Sequence, residues 1–360
     1  MNFRKGALGA SLILLGAMAL ASPLPAADVT TIPVPNHGAA VQAAVGRDGT
    51  IHLLYDLGDI PYYVRSRGAA VRFGEPIPVV DAASRKPGLE FQGWEMAIGR
   101  DGAVYVAMST NNWKAKLPGV PEGLLFTMLA PGAKAFTPVR SLNGRPSEGF
   151  SLAADGRGRV TATWLANKLY ANFSNDDGAT FTANAELNPV YDPCNCCTTR
   201  ATYAGNGALA VMYREKTNDD RDIYVVVRKA DGSLTRNRIS ATPWHINACP
   251  MTYYDITPTD SGYLAAWPTK GEIYFAALDR EGKVLPPGEI KTPGHSGMRT
   301  GIVALASDGK NLIAWNNKGE LNWQLYDRQG QPCGPAAHAA TTGKGAAGVV
   351  DRGGHFLLFL

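Results

Sequence analysis

The chain has 360 residues, of which 45% are hydrophobic and 18% charged, and its formal net charge is +4. A chain of this length and composition can bury a large core, in one big domain or two ordinary ones. No run of like charges stands out, so the composition argues against a nucleic-acid partner. Forty glycines and 24 prolines indicate many turns and few long helices.

The N-terminal residues predict a secretory signal peptide. Basic residues Arg4 and Lys5 precede an apolar run over residues 7–21, and small residues and prolines follow. The run is shorter than the roughly 20 residues that span a bilayer, which disfavours a membrane anchor. Cleavage is expected before Ser22 or before Asp28. With the second site, residues 1–27 are removed and residues 28–360 form a periplasmic or secreted protein, with no later transmembrane segment.

One pattern returns along the rest of the chain: an apolar stretch, a turn with Asp-Gly or a glycine pair, and a short β-rich run. Asp-Gly between alternating apolar runs is a strong hairpin signal, so each copy is predicted to be a β-hairpin. The seven copies occupy residues 39–56, 93–109, 149–166, 200–215, 252–268, 301–317 and 346–360. Their spacing of about 50 residues is typical of propeller blades.

A second hairpin follows each of the first six copies, as at 168–182, 222–235 and 272–285. Two hairpins per repeat predict a four-stranded blade with strands A, B, C and D. The seventh copy stops after two strands, and the extended segment 29–36 could complete it, so that the two chain ends close the ring. The sequence therefore predicts an all-β fold, a single β-propeller of seven blades, with six as the alternative count.

The third C–D hairpin carries a recognisable turn. SNDDGATFT fits the pattern Ser-x-Asp-x-Gly-x-Thr-aromatic, with Ser174, Asp176, Gly178, Thr180 and Phe181 in place. It resembles the Asp-box (BNR) repeat of the sialidase superfamily. We expect the aspartate to accept backbone N–H bonds, the glycine to take a positive φ and the aromatic ring to pack between sheets. The resemblance implies a fold, because such turns lie on the face away from the usual active site.

A narrower resemblance covers residues 190–275. CNCC, then MYRE with RDIY, then WHINACP are similar in order and spacing to segments of a group of secreted bacterial sialidase-like proteins. These have a Cys-x-Cys-Cys segment, an arginine-rich pair and a Trp-x-x-x-x-Cys-Pro segment, which runs here from Trp244 to Cys249. The resemblance implies a shared architecture and says little about a reaction.

The cysteines are concentrated at one point of the predicted ring. Of the five in the chain, Cys194, Cys196 and Cys197 lie in the connection that enters blade 4, and Cys249 lies in the equivalent connection into blade 5. In a propeller the D-to-A and B-to-C connections gather around one mouth of the central channel. We therefore expect these four sulfurs to meet there, whereas Cys333 lies in a C–D hairpin on the other face.

Three chemistries are open for this cluster. Disulfide stapling is favoured by secretion, with Cys249 bonded to one of the other three cysteines. A soft-metal site for copper or zinc is the alternative, with the thiolates joined by His245, Met251, His295 and Met298. Redox exchange receives the least weight, because the motif is interpreted as lacking the usual Cys-x-x-Cys spacing.

The resemblance to sialidases also implies a substrate site at the mouth. Sialidases hold a substrate carboxylate with three arginines, since guanidinium meets carboxylate in a bidentate fork, and they use a tyrosine nucleophile, a glutamate and an aspartate. The candidate substrate-binding residues are Arg200, Arg214, Arg221, Arg299 and Trp244. The candidate catalytic residues are Asp56 or Asp59; Glu95, Glu148 or Glu215; Tyr253 or Tyr254; and, for a lyase, His37 or His245.

One departure weighs against sialic-acid hydrolysis. The family's Arg-Ile-Pro motif should open the first blade, where this chain has Asn36-His37-Gly38, so the arginine that completes the trio is missing. Two functions stay open. The first is a propeller that binds or processes an acidic carbohydrate at the channel mouth, and the second is a non-catalytic propeller that binds a soft metal or a partner protein there. With either function, we expect a monomer.

Overall fold

The computed structural model describes residues 29–58, 60–66, 71–145, 147–188 and 192–360. These residues form seven β-sheets, six with four strands and one with three. The predicted seven-bladed propeller is confirmed, and the alternative count of six is wrong. The expected signal peptide and Asp59 lie outside the described residues.

The first strand, β1 (Val29–Ile32), belongs to the last blade. Blade 1 consists of β2 (Ala39–Val45), β3 (Ile51–Asp56), β4 (Pro61–Ser66) and β5 (Ile77–Pro78). Blade 2 consists of β6 (Phe91–Ile98), β7 (Val104–Thr110), β8 (Leu125–Leu129) and β9 (Arg140–Ser141). Blade 3 consists of β10 (Glu148–Ala154), β11 (Val160–Leu165), β12 (Leu169–Ser174) and β13 (Ala185–Asn188).

The next three blades repeat this antiparallel order. Blade 4 consists of β14 (Thr199–Tyr203), β15 (Leu209–Arg214), β16 (Ile223–Arg228) and β17 (Leu234–Arg238). Blade 5 consists of β18 (Asp255–Pro258), β19 (Gly262–Thr269), β20 (Glu272–Asp279) and β21 (Ile290–His295). Blade 6 consists of β22 (Ile302–Ser307), β23 (Lys310–Asn317), β24 (Glu320–Asp327) and β25 (Ala337–Ala340).

Blade 7 has the strand order β26 (Ala347–Val350), β27 (Phe356–Phe359) and β1. β26 and β27 form an antiparallel hairpin, and β1 pairs in parallel with β27, with Val29 opposite Phe356. Helix is almost absent from the described residues. It is limited to α1 (Asn112–Ala115) and the 3-10 turns Pro35–His37, Ala82–Ser84 and Arg100–Gly102.

Local turn chemistry explains the A–B hairpins. In the first, Asp48 Oδ1 accepts the Thr50 backbone N–H at 2.9 Å, and Gly49 takes a φ of 83° that favours glycine. The B strands are buried along most of their length because neighbouring blades cover both of their faces. All six residues of β11 are buried, for example. The core therefore lies between blades, as where Met212 of blade 4 packs with Trp267 of blade 5.

The A strands of neighbouring blades pack side by side around the central channel. The D-to-A and B-to-C connections lie together at one end of the channel, which we call the mouth face. Side chains at the start of an A strand therefore reach the channel near this face. In the described part of the chain, no helix has the length and apolar character that a membrane crossing requires.

Candidate functional site

Three charged side chains, Glu95, Arg200 and Asp255, meet across the channel near the mouth face, and we call them the charge cluster. Arg200, near the start of β14, donates through Nη1 to Glu95 Oε2 at 2.7 Å and through Nε to Asp255 Oδ1 at 2.8 Å. Asp255 Oδ2 also accepts the Ala304 backbone N–H at 2.9 Å. One guanidinium thus joins the inner strands of blades 2, 4 and 5, and one carboxylate extends the link to blade 6.

The protonation of the charge cluster is shifted by its surroundings. The Glu95 side chain is 17% exposed. Burial raises the pKa of Glu95 to about 7; the charge of Arg200 opposes this shift and that of Asp255 adds to it. A carboxyl group with a pKa near neutrality can both give and take a proton at physiological pH, as a general acid or base does.

The exposed mouth rim above blades 5 and 6 consists of Tyr253, Met298 and Arg299. Tyr253 is 39% exposed and Met298 63%. Arg299 is exposed and forms no ion pair with a carboxylate of any described residue. Burial raises the pKa of Tyr253, an effect that the charge of Arg299 opposes and that of Glu95 reinforces. The rim and the charge cluster are therefore electrostatically connected.

Four cysteines, Cys194, Cys196, Cys197 and Cys249, form a second group, which we call the sulfur cluster. Cys196 and Cys249 form a disulfide with Cα atoms 6.3 Å apart, which joins the connections into blades 4 and 5. Cys194 and Cys197 are free and buried, and the Cys194 sulfur lies 3.5 Å from those of both Cys196 and Cys197. Because Cys249 is exposed, a surface disulfide covers a buried dithiol.

The backbone of blade 4 holds the dithiol in place. The Cys194 N–H donates to the Arg214 carbonyl at 2.8 Å, and the Cys197 N–H closes a turn onto the Cys194 carbonyl at 2.9 Å. Gly149 of blade 3 lies against the Cys197 carbonyl, where a Cβ would collide. Cys194 and Cys197 are separated by two residues, so the motif does have Cys-x-x-Cys spacing. The sequence interpretation that this spacing is absent was wrong.

Arg214 lies beneath the sulfur cluster and is fully buried. It donates to the carbonyls of Arg221 and Pro268, each at 2.5 Å. Its guanidinium carbon lies 4.8 Å from the centre of the Trp244 ring. Within the described ranges no aspartate or glutamate pairs with Arg214, and its Nε has no hydrogen-bond partner. This cation is therefore solvated by carbonyls, by the Thr252 hydroxyl at 3.3 Å from Nη2, and by a ring face.

Burial lowers the pKa of Arg214, and among the side chains around it Cys197 opposes that shift most strongly. The contact with Cys194 lowers the pKa of Cys197 against the opposing effect of burial, and the charge of Arg214 lowers it further. Cys197 is the member of the dithiol that ionises first, since the same contact raises the pKa of Cys194. When ionised, Cys197 supplies a counter-charge to Arg214, which forms no ion pair with a described carboxylate, although the Asp222 carboxylate also interacts with it electrostatically.

Several candidate residues are engaged away from the mouth rim. Glu215 is buried and accepts bonds from Arg236, with Nη2 at 2.5 Å, and from the Tyr213 hydroxyl at 2.9 Å. Arg221 is buried and donates through Nη1 to the Asn218 carbonyl at 2.8 Å. These contacts lie within blade 4 and its B-to-C connection, and they leave neither side chain directed to a ligand at the rim.

The histidines stand apart from the sulfur cluster. His245 is exposed, with Nδ1 3.2 Å from Asp220 Oδ1, and His295 Nδ1 lies 3.2 Å from Glu272 Oε2. Among described residues, the one group whose ligand atoms approach closely enough to hold a metal ion is Cys194, Cys196 and Cys197, with sulfurs within 4.8 Å of one another. The group includes no imidazole.

The remaining candidates lie elsewhere. His37 is exposed in the turn before β2, and Asp56 ends β3 of blade 1. Tyr254 is buried, and its hydroxyl donates to the Thr198 carbonyl. Glu148 is exposed at the start of β10.

Of the sequence candidates, the structure brings together Glu95, Arg200, Tyr253 and Arg299. Sequence reasoning missed Asp255, although it follows Tyr253 by two positions. Asp255 is the first residue of β18, and side chains at the start of an A strand reach the channel near the mouth face. An acid at this position was therefore a readable signal.

The turn at Ser174–Phe181 lies on the face opposite the mouth. Asp176 Oδ1 accepts the Thr180 backbone N–H at 3.0 Å, and Gly178 has a φ of 80°. Hydrogen bonds, first from the Thr180 side chain, lower the pKa of Asp176 to about 2. The Phe181 ring packs edge-on against Phe126 of blade 2, with centroids 5.3 Å apart. The turn therefore stabilises the contact between two blades.

No family model matches the chain, and no curated protein matches it. Solved structures match over most of its length. An α-L-arabinanase from Penicillium chrysogenum, complexed with arabinobiose, is 14% identical, with 82% of this chain and 94% of that chain covered and a TM-score of 0.50. A functionally unknown protein from Desulfotomaculum acetoxidans is 12% identical, with 89% of each chain covered and a TM-score of 0.50. A Hadza microbial sialidase is 11% identical, covering 83% and 72%, with a TM-score of 0.48. At these identities the likeness shows the propeller fold alone.

Proposed function

We propose that this protein is a secreted propeller that binds an acidic carbohydrate at the mouth rim. The observation that carries the proposal is Arg299, an exposed guanidinium that no described carboxylate neutralises, beside the exposed ring of Tyr253. A guanidinium meets a carboxylate in a bidentate fork, and an aromatic side chain offers an apolar face to a ligand. The arabinanase of the same fold, solved with arabinobiose, supports a carbohydrate as the ligand class.

The other candidate arginines are already engaged. Arg200 is neutralised by Glu95 and Asp255, and Arg214 and Arg221 are buried against backbone carbonyls. A single free arginine fits one carboxylate contact rather than a trio. We therefore expect no efficient release of sialic acid from a model sialoside, and turnover in the ordinary enzyme range of about 1–1,000 per second would overturn that expectation.

The electrostatics of Tyr253 favour binding over covalent catalysis. Its pKa is raised chiefly by burial, and Glu95 adds to the effect. A phenol with a raised pKa is harder to convert to the phenolate that a tyrosine nucleophile requires. The acid–base capacity of the site rests on Glu95, whose pKa lies near 7.

The test compares an acidic oligosaccharide with its uncharged counterpart. Binding of oligogalacturonate and of its methyl ester is measured by titration calorimetry with wild type, Arg299→Ala and Arg328→Ala. Arg328 is an exposed arginine of the C–D hairpin of blade 6 on the opposite face, so it is a charge-matched control. Loss of a charge-assisted contact of about 1.5–3 kcal/mol predicts roughly 10- to 100-fold weaker binding for Arg299→Ala alone. Equal binding of the acid and the ester, or equal losses in the two variants, would contradict the proposal.

A soft-metal site at the sulfur cluster is the second candidate, because three sulfurs lie within 4.8 Å of one another. It is the weaker one, since Cys196 is bonded to Cys249 and a disulfide sulfur is not the thiolate that copper(I) or zinc prefers. Metal content measured on protein purified with and without prior reduction tests it. A Cys194→Ser variant that binds as much metal as wild type would reject this candidate.

A further inference from the structure

We propose that the sulfur cluster is a thiol–disulfide exchange centre. In this centre the disulfide moves between the exposed pair Cys196–Cys249 and the buried pair Cys194–Cys197. The inference does not rest on the carbohydrate proposal, since it concerns different side chains and a different reaction.

The first support is the contact between a free thiol and a disulfide. The Cys194 sulfur lies 3.5 Å from the Cys196 sulfur, which is half of the disulfide, and 3.5 Å from the Cys197 sulfur. Exchange proceeds by attack of a thiolate on a disulfide sulfur, so Cys194 stands where an attacking sulfur must be. A purely structural disulfide would not require two further unpaired thiols at this contact.

The second support is Arg214. A buried cation without an ion-paired carboxylate is costly. Arg214 forms no ion pair with a described carboxylate; its side chain contacts two carbonyls, the Thr252 hydroxyl, the Trp244 ring and Cys197. A positive charge at a buried thiol favours the thiolate, which is the nucleophile in exchange. The Cys-x-x-Cys pair and this arginine together make a reactive dithiol rather than an inert buried one.

The exchange balances without an outside oxidant. Cys194 first passes its proton to the Cys197 thiolate and then attacks the Cys196 sulfur. The Cys196–Cys249 bond breaks as the Cys194–Cys196 bond forms. The electron pair leaves on Cys249, which takes a proton from solvent. Cys197 then passes its proton to a solvent-linked base, and its thiolate attacks the Cys194 sulfur. The Cys194–Cys196 bond breaks, and Cys196 leaves as a thiolate that is reprotonated. One disulfide is present before and after.

The exchange converts the exposed Cys249 from a disulfide sulfur into a free thiol. With the disulfide at Cys196–Cys249, an external thiol can attack the exposed Cys249 sulfur. After migration, Cys249 is an exposed thiol that can attack a small disulfide such as oxidised glutathione, forming a mixed disulfide at Cys249 and releasing one glutathione thiolate. The class of partner is therefore a thiol or disulfide compound that reaches the mouth face.

The experiment traps Cys249 as a free thiol. The full chain is incubated without reductant in iodoacetamide at pH 7 and, separately, in oxidised glutathione, and fragment-ion mass spectrometry then locates each label and each disulfide. In wild type we expect modification of Cys249 together with a Cys194–Cys197 link. Cys194→Ser removes the attacking sulfur, so modification of Cys249 should fall at least tenfold. Cys197→Ser should keep Cys249 modified but stop at a Cys194–Cys196 link, and Cys333→Ser should behave as wild type.

Three results would overturn the proposal. The first is an unmodified Cys249 in wild type, with the Cys196–Cys249 link as the sole disulfide. The second is modification of Cys249 that is equal in wild type and Cys194→Ser. The third is stoichiometric copper or zinc that blocks labelling until a chelator is added, which would assign the cluster to a metal instead.

Discussion

Two arginines on adjacent strands of blade 4 are neutralised in opposite ways. Arg200, on β14, lies between the carboxylates of Glu95 and Asp255, which come from two other blades. Arg214, at the end of β15, is more deeply buried yet contacts carbonyls, the Thr252 hydroxyl, the Trp244 ring and Cys197. The first arginine braces the channel. The second arginine obtains a counter-charge from the sulfur cluster only when the Cys197 thiol is ionised.

The difference determines what each region responds to. The charge cluster is sensitive to pH, because the pKa of Glu95 lies near 7. The sulfur cluster is sensitive to oxidation, because a thiolate that enters a disulfide no longer balances Arg214. Measurements of stability, of its pH dependence and of ligand binding test whether the two clusters differ in this way.

The largest effect is expected from the cross-blade disulfide. Cys196 and Cys249 are separated by 53 residues, and in the chain-entropy model closing a loop of that size stabilises by about 4 kcal/mol. Cys249→Ser should lower the free energy of unfolding, measured by denaturant titration, by an amount of that order. Cys333→Ser, on the other face and outside the cluster, is the control, and a larger loss for that variant would refute the assignment.

The second-largest loss of stability is expected from removal of the Arg200 cation between Glu95 and Asp255. Arg200→Met leaves Glu95 and Asp255 facing each other without a cation, and breaking a buried ion pair on one side costs about 3 kcal/mol. The loss should be smaller at pH 5, where Glu95 is protonated, than at pH 8. Arg328→Met is the exposed control, expected within about 0.5 kcal/mol of wild type. Equal losses of unfolding free energy for the two variants would show that the ion pairs of Arg200 do not stabilise the fold.

The pH dependence of stability should follow Glu95. Its pKa is raised from 4.5 to about 7 on folding, so between these values the folded state binds more protons than the unfolded one. Stability should therefore fall as pH rises through this window, by up to about 3 kcal/mol, and remain lower above it. Glu95→Gln should lack this part of the slope, and a slope equal to that of wild type would contradict the assignment.

The smallest effect on stability is expected at the mouth rim. Arg299→Ala removes an exposed side chain that pairs with no carboxylate among the residues described, so the free energy of unfolding should change by less than about 0.5 kcal/mol. Glycan binding should nevertheless weaken. A loss of stability comparable with that of Arg200→Met would mean that Arg299 is structural and would remove the main support for the binding proposal.

The amino-acid sequence alone specified the hairpins and favoured seven blades, while the sheet pairing of the structure excluded the alternative count of six. Turns such as Asp48-Gly49, with a side-chain acceptor and a positive φ, are specified by residues adjacent in the chain. The turn at Ser174–Phe181 is specified in the same way. Hairpin hydrogen bonds connect residues that are close in sequence, so their signals survive in a short window.

Which side chains meet depends on the packing of the blades around the channel. Arg200 is 105 residues from Glu95 and 55 from Asp255, and nothing local specifies that these three converge. Likewise, the sequence placed Cys249 near a group of three cysteines without selecting Cys196 as its partner. The rotation of each blade about the channel and the register of its inner strand settle these pairings, because they fix which side of each A strand faces the channel.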